Sequence, residues 1–278
     1  MNRGCPVEHV IASSAALGLV VGLILALTGA GGAILAVPLL LFVLHLNIAE
    51  AAPIALLAVG VSAALGALMG LRARIVRYRA ATLMSLTGTV FSPVGLWLAH
   101  RLPNGPLTLV FAGVLAYVAL RMFRQAVVGT HHEVRSGPAL QPCQLNSGTG
   151  RFVWTAACTR ALALAGIGAG FLSGLLGVGG GFVIVPALRK ATNAPVPAIM
   201  ATSLAVITLV SASGVISTAI SGHMNWPVGM PFAAGALSGM LAGRLVASRL
   251  SANRLQQGFA LVAGLIAIGM VAKVTMSV

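Results

Sequence analysis

Apolar residues run almost unbroken along this chain, in stretches of about twenty that recur from Val10 to the C-terminus. At about 1.5 Å of rise per residue, a helix of that length crosses the hydrocarbon core of a bilayer. The pattern predicts helices at residues 51–71, 80–99 and 107–123, and again at 197–220, 227–247 and 257–274. Before each set of three stands an apolar run, a cluster of glycines, and a shorter apolar run. The polar interval 125–154 contains Pro138, Pro142, Gly148 and Gly150 and reads as a loop joining two halves.

The glycine clusters, Gly29-Ala30-Gly31-Gly32 and Gly177-Val178-Gly179-Gly180-Gly181, lie 148 residues apart. At that offset Pro38 falls on Pro186, Gly95 on Gly243, and Arg101-Leu102 on Arg249-Leu250. Leu56-Leu57-Ala58-Val59 matches Ser203-Leu204-Ala205-Val206 at an offset of 147, one residue of slippage in a loop. A period of this kind divides the chain into a first membrane repeat (1–124), a linker loop (125–154) and a second membrane repeat (155–278). Arg3 followed by an apolar run resembles a signal peptide, but the run ends in an element that recurs in mid-chain and therefore belongs to the fold.

Charge decides how the glycine clusters are threaded. Of 278 residues only 20 are charged, 17 basic and 3 acidic, whereas a soluble domain devotes about a quarter of its residues to charge. The net charge of +14 sits in short clusters between apolar segments rather than along one face, so it reads as positive-inside topology and not as a nucleic-acid surface. If each glycine element enters the membrane and returns as a hairpin, Arg72, Arg74, Arg77, Arg79, Arg121, Arg124, Arg135, Arg151, Arg160, Arg189, Lys190, Arg244, Arg249 and Arg254 all share one side. Only Arg3, Arg101 and Lys273 lie opposite, 14 against 3. Threaded as single broken spans, the distribution is 11 against 6. The hairpin threading fits better and places the linker in the cytoplasm. It predicts an all-α integral membrane protein of two inverted-topology repeats, each a glycine-broken helical hairpin plus three transmembrane helices.

Backbone freed at membrane depth must be satisfied internally or line a hydrated cavity, so two glycine breaks at matched positions mark a candidate binding site. The competing reading is that these glycines serve helix packing or a tight turn. The half-helices opening after Gly32 and Gly181 direct free N–H groups and a dipole worth roughly +0.5 charge toward the space between the halves, which favours an anion. The expected substrate-binding set is Thr28, Gly29, Gly31 and Gly32 from the first half, with Gly177, Gly179, Gly180, Gly181, Thr202 and Ser203 from the second. Pro38 and Pro186 are expected to kink or end the short helices.

Other chemistries find little support. Neither cluster completes G-x-G-x-x-G, because Ile34 and Phe182 stand where the last glycine belongs, and no Gly-Lys-Ser/Thr follows. Cys5, Cys143 and Cys158 form no C-x-x-C pair, so neither a disulfide framework nor a zinc site is expected, and no cofactor or metal. There is no aspartate, and Glu8, Glu50 and Glu133 lie at segment ends or in loops, leaving no buried carboxylate as a proton relay. Ser211-Ala212-Ser213-Gly214 with His223 is the nearest approach to an intramembrane serine–histidine enzyme, but His223 sits in a polar turn beside Asn225 and Trp226. A helical scaffold without transport is a further alternative, although it has no need of two glycine breaks.

The run Gly174-Leu175-Leu176-Gly177-Val178-Gly179-Gly180-Gly181-Phe182-Val183-Ile184-Val185-Pro186, followed by Ala198-Ile199-Met200-Ala201-Thr202-Ser203-Leu204, resembles the sulfite exporter TauE/SafE family of membrane permeases. The first half carries a weaker copy from Gly29 to Pro38, and Gly222 to Trp226 is similar to that family's glycine-to-tryptophan turn. The resemblance implies a secondary transporter in the bacterial inner membrane that moves a small sulfur-containing or organic anion such as sulfite, a sulfonate or sulfoacetate. Its partners are then that anion and membrane lipid. Ile54-Ala55-Leu56 in the first half departs from the family's Thr-Ser-Leu and takes that hydroxyl contribution away.

Overall fold

The computed structural model of the chain describes residues 5–28, 32–127, 142–143, 154–222, 224–247, 258 and 261–271. Ten helices account for nearly all of them: α1 (Cys5–Thr28), α2 (Ala33–Val43), α3 (Ile48–Arg72), α4 (Tyr78–Arg101), α5 (Asn104–Val127), α6 (Ala156–Leu176), α7 (Gly181–Ala191), α8 (Val196–Ile220), α9 (Trp226–Ala247) and α10 (Leu261–Val271). No β-strand occurs among the described residues. Five helices are long and apolar enough to span a bilayer: α1, α3, α4, α6 and α8. Leu86, Trp97, Leu164, Ile216, Ile220 and Leu245 project outward, and such a surface suits lipid and not water.

Glycines set which helices meet. Gly18 and Gly22 of α1 lie against the backbone of Phe232 and Ala236, while Gly235 and Gly239 of α9 lie against Ala15 and Leu19. On the other side of the molecule Gly88 of α4 faces Gly170 of α6, Gly166 faces Met84, and Gly95 faces Phe171 and Leu175. Four-residue glycine spacing lets backbones approach closely, and close van der Waals packing is what holds helices together where lipid removes the hydrophobic drive.

The same contacts give directions. Residue numbers rise together in the pairs α1/α9 and α4/α6, so each pair is parallel. They run oppositely in α3/α8, where Leu56 meets Gly214, Gly60 meets Ser211, Gly66 meets Leu204 and Gly70 meets Ala201. Leu57 beside Gly229 and Gly66 beside Met240 make α3 parallel to α9. Gly88 beside Val210, with the Arg77 N–H donating to Thr202 Oγ1 at 3.0 Å, makes α4 parallel to α8. Thus α1, α3 and α9 run one way and α4, α6 and α8 the other.

For α1 and α3 to share a direction, α2 must turn back between them. It does: Gly32 returns beside Ile24 and Leu25 of α1, as Gly180 returns beside Ala169 of α6. Consequently Arg72, Arg74, Arg77, Arg79, Arg189, Lys190 and Arg244 gather at one end of the bundle, while Arg101 lies at the other, 4.5 Å over the Trp97 ring.

Two expectations change. Pro38 and Pro186 end neither short helix: they sit inside α2 and α7, which run on to Val43 and Ala191. Pro38 is buried and Pro186 half-buried among neighbouring helices, a setting in which membrane proteins tolerate interior proline. Cys143 and Cys158 form a disulfide, with Cα atoms 4.8 Å apart, where none was expected. Residues 142–143 are held beside α6 and α7, with the Cys143 N–H donating to Ala191 O at 2.9 Å and Thr155 Oγ1 donating to Pro142 O at 3.0 Å. A separation of 15 residues across a loop carries no motif that announces such a pair.

Candidate functional site

The second glycine break is built from three residues that few side chains permit. Gly177, Gly179 and Gly180 have φ of 70°, 72° and 67°, in the left-handed region that glycine enters without steric cost. Gly177 caps α6, its N–H donating to Ser173 O at 2.9 Å. Gly180 opens α7, its carbonyl accepting from the N–H groups of Val183 and Ile184 at 3.0 and 3.2 Å. No side chain caps α7, so its first amides face the surroundings of the loop.

Those surroundings are the middle of the helix bundle. A Cβ on Gly179 would stand 3.1 Å from both Ile207 Cγ2 and Ser211 Oγ and 3.3 Å from Val59 Cγ1. Val59 is twelfth of the 25 residues in α3, and Ile207 is twelfth of the 25 in α8. The tip of the α6–α7 hairpin therefore sits at half depth, where the two long antiparallel helices cross. From there α7 runs back to the basic end, so the positive end of its dipole lies inside the bundle, and none of the atoms nearest Gly177, Gly179 and Gly180 among the described residues belongs to an acidic or basic side chain.

Around this point the hydroxyls divide into two kinds. Thr202 Oγ1 donates to Ala198 O at 2.6 Å while accepting the Arg77 N–H, and Ser203 Oγ donates to Met200 O at 2.8 Å. Both residues are buried toward the basic end of α8, and neither has a hydroxyl hydrogen left to offer. Ser211, which the binding set drawn from sequence omits, is fully buried, and its hydroxyl has no partner among the described residues. Ser62 and Ser173 share that condition; they stand one helical turn from Val59 and Ala169, both of which touch the loop. Sequence alone gives no cue for these serines, since a lone serine inside an apolar helix usually bonds its own backbone.

In the first half, Gly32 precedes α2, whose residues Ala33 to Val37 are completely enclosed by protein. Gly29, Gly31 and the Thr28 side chain lie outside the described residues, as does His223. No group of three or more His, Cys, Asp or Glu able to hold a metal occurs among the described residues.

Comparison with known proteins adds an independent line. A family model described as sulfite exporter TauE/SafE matches residues 14–270. A probable membrane transporter protein of Xylella fastidiosa (strain Temecula1 / ATCC 700964) is 31% identical over 245 residues, 85% of each chain. The probable membrane transporter protein YunE of Bacillus subtilis (strain 168) is 26% identical over 237 residues, 83% of this chain and 86% of its own. No solved structure matches the chain.

Proposed function

Because the chain belongs to the sulfite exporter TauE/SafE family, a family of membrane transporters, we propose that it is a secondary transporter for a small sulfur-containing or organic anion. Sulfite, a sulfonate or sulfoacetate is the kind of substrate meant, and the bacterial inner membrane its place. The observation that carries this reading is the α7 N-terminus held at half depth by Gly177, Gly179, Gly180 and Gly181 against α3 and α8. A helix start with no side-chain cap, buried in low dielectric, attracts negative charge, and no cationic side chain is among the nearest neighbours of the loop glycines in the described residues.

The same reading takes the two halves as inverted repeats. Its support is that α3 and α8, equivalent at the 148-residue period, run antiparallel, and that α1 pairs with α9 as α6 pairs with α4. An inverted pair around a midplane site can rock between two openings, which is how alternating access is achieved in such folds. Thr28, Gly29, Gly31 and Gly32 are taken as the binding residues of the first half on the strength of the sequence repeat. Thr202 and Ser203, their hydroxyl hydrogens committed within α8, hold that helix in place and do not touch the anion. With the basic end in the cytoplasm, 125–154 is a cytoplasmic linker.

The test is flux into proteoliposomes with a panel of sulfite, thiosulfate, sulfonates and carboxylates, with and without a pH gradient. Saturable uptake of at least one of these anions, with no uptake of inorganic cations, supports the reading. A protein that moves only cations, or nothing in the panel, defeats it.

A further inference from the structure

We propose that Ser211 is the side chain that donates a hydrogen bond to an oxygen of the transported anion. The inference rests on the transporter reading and goes beyond it by naming a contact.

Serines in these helices have an easy alternative to a ligand. Ser203, Ser213, Ser221 and Ser238 each donate to a carbonyl three or four residues earlier. Ser211 stands on the same helix as Ser203 and Ser213, completely buried, and makes no such bond. A buried hydroxyl without a partner is rare in a native structure and calls for an occupant of its neighbourhood. Here that neighbourhood is the glycine loop: the Oγ lies 3.1 Å from where a Gly179 Cβ would be. Ser211 Oγ and the start of α7 thus flank the same glycine. An oxygen-bearing anion admitted between α3 and α8 when the two halves part can accept from the hydroxyl and the amides together.

At the offset of 147 that matches α3 to α8, Ser211 falls on Ala64, so the equivalent position of the first half carries no hydroxyl.

The experiment compares Ser211→Ala with Ser213→Ala in proteoliposomes, using sulfite or whichever anion of the panel the unaltered protein carries, together with melting temperature. Ser211→Ala should raise KM about tenfold or more, the effect of losing a hydrogen bond to a charged group, and leave the melting temperature unchanged or higher because no bond within the protein is lost. Ser213→Ala, which removes a bond to Val210 O at 2.7 Å, should leave KM unchanged. If the unaltered protein transports and Ser211→Ala has the same KM, the assignment of Ser211 is overturned while the transporter reading stands. A lower melting temperature for Ser211→Ala would show that the hydroxyl holds the fold, and would overturn it too. Absence of any anion transport by the unaltered protein would instead sink the functional reading itself.

Discussion

Substituting Gly179 by alanine separates the two meanings a glycine break can have, a turn or a site. The left-handed backbone at φ 72° costs an alanine about 1–2 kcal/mol. The added methyl also meets Ile207 Cγ2, Ser211 Oγ and Val59 Cγ1 at 3.1, 3.1 and 3.3 Å, contacts that ask those neighbours to yield by a few tenths of an ångström. A valine would add two more carbons to the same space and risk the fold, so alanine is the fairer probe. Gly222 supplies the control. It has φ 71°, ends α8, and has nothing within 4 Å of the position a Cβ would take. Gly222→Ala therefore carries the backbone strain without the filling. Both variants should lower the melting temperature by roughly 2–8 °C, on the usual conversion of 1–2 kcal/mol for a chain of this size. In the proteoliposome flux assay, Gly222→Ala should transport normally and Gly179→Ala should be inactive. Equal transport by the two would mean that the loop is only a turn, and that the anion passes elsewhere.

Thr202→Val removes the acceptor of the Arg77 N–H and should destabilise by about 1–2 kcal/mol in chemical unfolding with no change in KM; a raised KM with unchanged stability would return Thr202 to the site. In a cysteine-free background, Asn193→Cys should label from the cytoplasm and Ser221→Cys from the periplasm, and the reverse would invert the orientation. Gly170→Leu forces a side chain into the Gly88 backbone and should cost about 3 kcal/mol, seen as lost expression or a lowered melting temperature, and normal folding would contradict the close α4–α6 approach.

Much of the fold is legible because lipid imposes a simple rule. Uninterrupted apolar runs of sufficient length had to be helices, and the arginines at Arg72, Arg74, Arg77 and Arg79 could sit together with Arg189 and Lys190 only if each glycine break reversed the chain. The turn at Gly177 to Gly181 was readable because only glycine suits three left-handed residues in four positions. Tertiary contacts were not. That α1 seeks α9 is written in Gly18, Gly22, Gly235 and Gly239, but four-residue glycine spacing names no partner. Thr202 and Ser203 stood in the right stretch of sequence, yet their hydroxyls turn inward to the helix, and which serine does otherwise depends on what lies across from it. Ser211 owes its place to a loop more than thirty residues away, and the Cys143–Cys158 pair owes its own to the seating of Cys143 against Ala191.

The location of a bound anion tests the central claim most directly. Selenite has the shape and charge of sulfite and an anomalous signal that marks a single atom, so its position in a crystal of the protein can be found without ambiguity. The account predicts one selenium peak at half depth between α3 and α8, with its oxygens within hydrogen-bonding distance of the first amides of α7 and of Ser211 Oγ. A peak held instead by the arginines of the basic end, with the glycine loop empty, would contradict it.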